Sequence, residues 1–383
     1  MHSKGALRPA GMVSATILIL ALLLFWPPVT EADNHASSPR ENKSGQQVYQ
    51  EACASCHGLD GRGVSADQLG FDLPVPDFTD CSFATREPDV DWIAVSHSGG
   101  PVRGFSRLMP AFGEALSRQD LELAVAHLRT FCRDSAWPRG ELNLPRALAT
   151  EKAFPEDEAV FTSSINAEGD GGVSNKVIYE KRIGARSQFE AVVPFGWTKE
   201  RSPLENWSGG LGDIAIGGKH ALFHSLETGS IFSVAGELVL PTGDSAKGFG
   251  KGTTVIEPFV AYGQLFPAAF FLHAQAGVEL PVDTDRASRE GFWRLALGRT
   301  FEQRNWGRAW SPMVEFLAAR DLENGAKVSW DMLPQLQFTL NTRQNIMFDI
   351  GVRLPITDSG TRNTQIVFYL LWDWFDGGFL EGW

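Results

Sequence analysis

The residues best suited to chemistry stand together at Cys53-Ala54-Ser55-Cys56-His57. Two thiols three positions apart on one helical turn can add across the two vinyl groups of a haem. The histidine that follows can then place its imidazole on the iron. A redox dithiol or half of a zinc site would use the same cysteines, but no other cysteine pair has metal-ligand spacing. A sixth iron ligand must come from elsewhere. Met109, in Leu108-Met109-Pro110-Ala111-Phe112-Gly113, is the methionine within reach of this segment. Thioether ligation raises the reduction potential relative to two histidines, which suits electron carriage. His97, in Ser-His-Ser-Gly-Gly, is the rival ligand, and His127 reads as a packing or surface residue. A loop methionine that only packs against the core is the alternative for Met109.

Two helices are predicted to position this site. One spans Gln46 to Ala54, with Val48 and Ala52 four apart along it. The other runs from Ser117, a good N-cap, to Cys132, with Leu121, Val125, Leu128 and Cys132 on one face. Between them the chain is rich in Gly, Pro and Asp and reads as a loop that could wrap a large flat ligand. Residues 44–133 are therefore expected to form a small all-α domain. Before it, Lys4 and Arg8, the apolar run Met12 to Trp26 and Thr30-Glu31-Ala32 read as a secretory signal peptide over residues 1–32. An N-terminal anchor is the alternative, but a spanning helix needs about 20 apolar residues. Residues 33–43 read as a flexible segment, and residues 134–156, with Pro138, Pro145 and Pro155, as a linker. Export would place all four cysteines in an oxidising compartment.

From residue 157 to 383 the pattern changes to alternation. Phe270, Leu272, Ala274, Ala276, Val278 and Leu280 share one face, against Phe271, His273, Gln275, Gly277 and Glu279. Trp330, Met332, Leu336 and Phe338 likewise oppose Asp331, Gln335, Gln337 and Thr339, and Ile346, Phe348, Ile350 and Val352 oppose Asp349, Gly351 and Arg353. Polar groups at mid-strand opposite an unbroken apolar row mark an outward apolar band around a polar lumen. About twelve such segments centre near residues 162, 179, 193, 217, 235, 260, 275, 297, 315, 334, 350 and 370. The expectation is an antiparallel transmembrane β-barrel of about 12 strands. Trp197, Trp293, Trp310, Trp330, Trp372 and Trp374 would form its interface girdles, with Trp383 a terminal aromatic. A soluble β-sandwich also alternates, but with fewer aromatics and fewer strands of this length. Glu190, Glu237, Glu257 and Glu279 would line the lumen, and Asp170-Gly171-Gly172 and Asp376-Gly377-Gly378 read as turns.

Two resemblances follow. Gly45, Tyr49, the Cys-x-x-Cys-His string, Gly58-x-Asp60-Gly61-x-Gly63, Pro76-x-Phe78, Met109-Pro110-Ala111-Phe112 and the closing Leu-rich helix resemble a class I c-type cytochrome. That likeness implies one covalent haem c held through Cys53 and Cys56, with His57 the proximal and Met109 the distal ligand. Cys81 and Cys132 depart from the pattern. With the other two cysteines committed to haem, an oxidised link between them would pin the central loop to the last helix, at roughly 4 kcal/mol for a loop of about 50 residues. Two unpaired buried thiols are the alternative. In the second half, Arg182-Ile183-Gly184, Gln188 to Phe195, Gly210-Leu211-Gly212-Asp213-Ile214 and Leu240-Pro241-Thr242-Gly243-Asp244 resemble the phenol-degradation (MetA-pathway) type of outer-membrane transporter-like protein.

A net charge of -12 leaves no basic footprint for nucleic acid. No nucleophile elbow or phosphate loop is present, so an electron carrier is expected rather than an enzyme. The expected setting is the outer membrane, with outer-membrane lipid around the barrel and the helical domain in the periplasm among redox partner proteins. A channel for a small solute with an accessory cytochrome is the alternative. A haem enzyme or sensor with a labile Met109 ligand is the third reading.

Overall fold

Hydrogen bonds across twelve adjacent staves close the second half of the chain on itself. The computed structural model describes residues 43–71, 75–168, 171–199, 207–303 and 308–373. The signal peptide, nearly all of the flexible segment, Asp170, Trp374, Asp376 to Gly378 and Trp383 lie outside the described residues.

The first half is helical: α1 (Gly45–Ala52), α2 (Ala54–His57), α3 (Ala66–Leu69), α4 (Cys81–Ala84), α5 (Asp89–Ser98) and α6 (Arg118–Arg129). Helix α1 starts on a capping box between Ser44 and Gln47, and α6 on one between Ser117 and Asp120. Each box satisfies two orphan N–H groups. The two helices cross closely. A Cβ at Gly45 would collide with the Leu123 carbonyl, so only glycine admits this approach. Leu121, Val125 and Leu128 of α6 face inward, as their spacing predicts. Tyr49, Ala54, Phe78 and Leu128 form the core, with Phe83, Trp92 and Phe131 packed against it.

Helix α5 corrects the expectation of loop around His97. Its sequence, Asp-Val-Asp-Trp-Ile-Ala-Val-Ser-His-Ser, has no apolar stripe of helical period, and none of its residues is fully buried. The usable signals were Pro88 at the N-cap and acidic Asp89 and Asp91 in the first turn.

The barrel strands are β1 (Glu158–Asn166), β2 (Gly172–Ile183), β3 (Ser187–Lys199), β4 (Trp207–Leu211), β5 (Ala215–Ser225), β6 (Ser230–Val239) and β7 (Val255–Leu265). They continue as β8 (Phe270–Pro281), β9 (Glu290–Arg299), β10 (Phe301–Gln303), β11 (Arg308–Asp321), β12 (Ser329–Thr339), β13 (Ile346–Pro355) and β14 (Gln365–Asp373). All pairings are antiparallel, and β1 pairs with β14 to close the sheet. Strands β4 and β5 share one stave against β3, and β9 and β10 share one against β11. Twelve staves result, one at each predicted centre, and closure leaves no sheet edge.

The alternation resolves as two environments. Phe271, His273, Gln275, Asp331, Gln335, Gln337 and Asp349 are buried inside. Val177, Ile256 and Leu370 stand outside and are 44%, 49% and 44% exposed, as are Trp197, Trp293 and Trp372 at comparable levels. So continuous an apolar exterior has lipid as its natural solvent. No helix among the described residues is long and apolar enough to cross a membrane; the crossing elements are strands. Connections at one mouth are short, at residues 184–186, 226–229 and 340–345, while those at the other run longer, at 240–254 and 356–364. The helical domain sits on the short-turn mouth, where Arg343 donates to the Gly104 carbonyl (3.0 Å) and Arg186 to the Ala136 carbonyl (3.0 Å).

Candidate cofactor site and the barrel lumen

Cys53 closes α1, and the chain re-enters a single turn, α2, that carries Cys56 and His57. The His57 N–H donates to the Cys53 carbonyl (3.0 Å), so both thiols and the imidazole belong to one rigid turn. Its exit is fixed by the Tyr49 hydroxyl, which donates to the Gly58 carbonyl (2.8 Å), and by the Gly63 N–H, which donates to the His57 carbonyl (2.9 Å). Gly61 has φ +76°, and a Cβ there would strike the Phe131 ring. Burial pushes the Tyr49 hydroxyl up and, reinforced by Cys56, pushes the Cys53 thiol to about 11. Burial also pulls His57 down to about 4, which leaves a neutral imidazole with a lone pair to give.

Two observations test whether haem suits this turn. His57 Nδ1 is buried without a hydrogen-bond partner, while Cys53 and Cys56 are both free thiols. Beside them, the Phe78 ring lies 5.0 Å from that of His57 and 5.2 Å from Trp92, and Trp92 is only half-buried, apolar surface that a large flat group would cover. The donor set and its surroundings fit. Cys53 and Cys56 would hold the group covalently and His57 would take the iron; bound there, haem would supply one-electron chemistry.

In the Met109 loop, the Met109 carbonyl accepts from the Gly100 N–H (3.0 Å), and the Phe112 and Gly113 N–H groups donate to the Ser96 and His97 carbonyls (3.0 and 2.9 Å). The Met109 loop is thereby laid along the C-terminal end of α5. Met109 is half-buried. His97 is exposed, with its ring against Gly113 and Nδ1 3.0 Å from the Ser98 hydroxyl. The His127 ring packs between Tyr49 and Phe131, 5.4 and 5.3 Å away. Cys81 and Cys132 are joined, with Cα atoms 5.1 Å apart, which ties α4 to the chain just after α6.

The connection between the two halves is the part that the sequence hid. Residues 134–156 read as a spacer; after Gly140 the chain instead enters the barrel and fills it. Leu142, Leu144, Ala147, Ala153 and Phe154 are buried against lumen-facing Ile231, Ala261, Phe271, Ala296 and Met313. Polar wall residues take up the segment's backbone. The Ala149 N–H donates to Glu315 (3.0 Å), as does that of Thr150 (2.7 Å), and the Glu151 N–H donates to Gln275 (3.1 Å). That of Glu156 donates to Gln188 (2.7 Å). In return, the Tyr369 hydroxyl donates to the Arg146 carbonyl (2.8 Å), Lys219 to that of Lys152 (2.9 Å) and Arg294 to that of Ala149 (2.9 Å). Arg146 pairs with Glu158 and, at 2.8 Å, with Glu180; Lys152 pairs with Glu156. Buried backbone needs such partners, and staves around the whole barrel supply them. The overlooked signal was apolar: Leu142, Leu144 and Phe154 have no place in a solvated spacer.

A helical domain with a Cys-x-x-Cys-His turn, followed by a lipid-facing twelve-strand barrel, defines an outer-membrane barrel protein carrying a c-type cytochrome domain. Residues 157–349 match the family model described as "Putative MetA-pathway of phenol degradation", and the chain belongs to that family. Residues 40–128 match the model described as cytochrome C oxidase, cbb3-type, subunit III. Among curated proteins, none matches the chain. Among solved structures, the chain is similar to an outer membrane channel from Pseudomonas putida F1, at 10% identity over 60% of this chain and 99% of that one, with a TM-score of 0.43. It is also similar to the KdgM porin, at 10% identity over 56% and 98% of the two chains, with a TM-score of 0.35.

Proposed function

We propose that the protein is a single-haem electron carrier fixed to the outer membrane, with its cytochrome domain on the periplasmic side. The observation that carries this reading is that the domain bearing Cys53, Cys56 and His57 roots directly in the segment filling the barrel. Met109 is the distal ligand in this reading, because its loop is anchored beside α5 whereas the His97 ring is turned toward Ser98 and solvent. Placement of the domain at the short-turn mouth supports the periplasmic side, since outer-membrane barrels keep their short turns there. Soluble redox proteins of that compartment are the partners, and the barrel serves as an anchor. Haem staining of outer-membrane fractions after denaturing electrophoresis tests the reading: covalent haem should run with the full chain. A band without haem would contradict it.

A second reading, a small-solute channel with an accessory cytochrome, draws support from the partly exposed Glu237 and Glu257, which stand opposite each other on β6 and β7. It requires the segment between Leu142 and Asp157 to move. Release of an entrapped solute from vesicles on reduction or oxidation of the haem would favour it.

A further inference from the structure

The loop that carries Met109 turns apolar side chains outward and holds them there. A 3₁₀ turn, Gly100–Arg103, leads through Gly104 (φ +70°) into Phe105-Ser106-Arg107-Leu108. Phe105 and Leu108 are 44% and 49% exposed, and Arg107 between them is exposed too. The loop is not slack. The Phe105 N–H donates to the Gly100 carbonyl (2.9 Å), that of Met109 to the Ser106 carbonyl (3.2 Å) and that of Leu108 to the Ser106 hydroxyl (3.2 Å). Its root is Arg103, which is buried and donates to Asp91 of α5 (2.8 Å). A rigid loop that presents two large apolar side chains has a surface to meet.

The barrel wall beside the loop says what that surface is. Arg343, in the turn from β12 to β13, donates to the Gly104 carbonyl (3.0 Å), and its guanidinium lies over the Phe105 ring, 5.3 Å from the centroid. Next to this turn, cross-strand pairing sets Phe301, Trp310, Phe338 and Phe348 side by side on β10, β11, β12 and β13. Their neighbours Ser311, Gln337 and Asp349 are buried inside, so the row faces lipid. Phe301 touches Trp310 and Phe338 touches Phe348, with 4.7 and 5.4 Å between ring centroids. Such a row of rings marks the level of the headgroups. Leu340, two residues beyond Phe338 on the same outward row, is exposed and about 7 Å nearer the turn. Phe105 thus stands at the membrane's edge, continuous with a wall that already faces lipid. Outer-membrane barrels keep their short turns on the periplasmic side, where the leaflet is phospholipid. We propose that Phe105 and Leu108 dip into this phospholipid leaflet, with Arg107 against its phosphates. Apolar tips below the headgroups and a cation among them are how proteins lie on a membrane surface. Such a contact needs only the barrel in its membrane and is indifferent to which residue ligates the iron.

The test places the full haem-loaded chain in nanodiscs of phosphatidylethanolamine and phosphatidylglycerol, which leave both mouths in water. Part of the phospholipid carries a photoactivatable diazirine on its acyl chains. After irradiation and proteolysis, mass spectrometry should find lipid adducts on Phe105 or Leu108 as well as on outward residues of the strands. An added thiol gives a second readout. Cys81 and Cys132 are bonded to each other, and Cys53 and Cys56 are on haem in the loaded chain. Leu108→Cys and Thr361→Cys therefore each add one reactive group, read against the parent as background. Thr361 is exposed in the loop at the opposite mouth. With a water-soluble maleimide, Leu108→Cys should react several-fold more slowly than Thr361→Cys, and the haem spectrum checks that the domain is folded. Adducts on the strands with none on residues 105–108, or equal thiol rates, overturn the proposal and leave the loop as a docking site for a soluble protein.

Discussion

The helical domain and the barrel complete their interiors in opposite ways. In the helical domain the rings of Tyr49, Phe78, Trp92 and Phe131 gather around one rigid turn and leave His57 Nδ1 without a partner. In the barrel, polar side chains from all round the wall converge on a segment of the same chain, and its N–H and C=O groups are taken up one by one. The first interior offers apolar surface and lone pairs to something else. The second uses its polarity on itself. A polar lumen therefore does not by itself imply a water-filled passage.

The largest effect should come from breaking the first interior alone. Cys53→Ala with Cys56→Ala should abolish covalent haem while the barrel still assembles, read by haem staining beside heat-shifted mobility. Loss of the folded barrel as well would show that the two interiors are not independent. Met109→Ala should change the ferric and ferrous absorption spectra and His97→Ala should not; the reverse would exchange their roles. In the second interior, Arg146→Ala would leave Glu158 and Glu180 buried with their guanidinium removed. Loss of one partner of a buried charge set costs about 3–5 kcal/mol, to be seen as a lower urea midpoint for barrel unfolding. Cys81→Ser with Cys132→Ser should cost the helical domain up to about 4 kcal/mol with no change in the barrel midpoint. A shift in both would mean that the domains unfold together.

Much of this contrast could be read from the chain, and the part that could not has a physical cause. The turn carrying Cys53, Cys56 and His57 was legible as a candidate site because five adjacent residues carry its chemistry, and α6 because Leu121, Val125 and Leu128 keep helical period. All twelve staves were legible because a wall between lipid and a polar interior must alternate. Helix α5 was not, since a helix with no fully buried residue need not show a stripe. The lumen segment was not, because its backbone partners lie on strands up to some two hundred residues away, as Tyr369 does from Arg146. No local period encodes such contacts; only Leu142, Leu144 and Phe154 hinted at burial.

A cytochrome domain stands on a barrel whose lumen is filled by its own chain. Single-channel recording of the purified haem-loaded protein in a planar bilayer tests it most directly. The parent should show no steady conductance, and open-pore currents should appear once residues 143–152 are replaced by a Gly/Ser stretch of equal length. Steady open-pore conductance from the unaltered protein would contradict it.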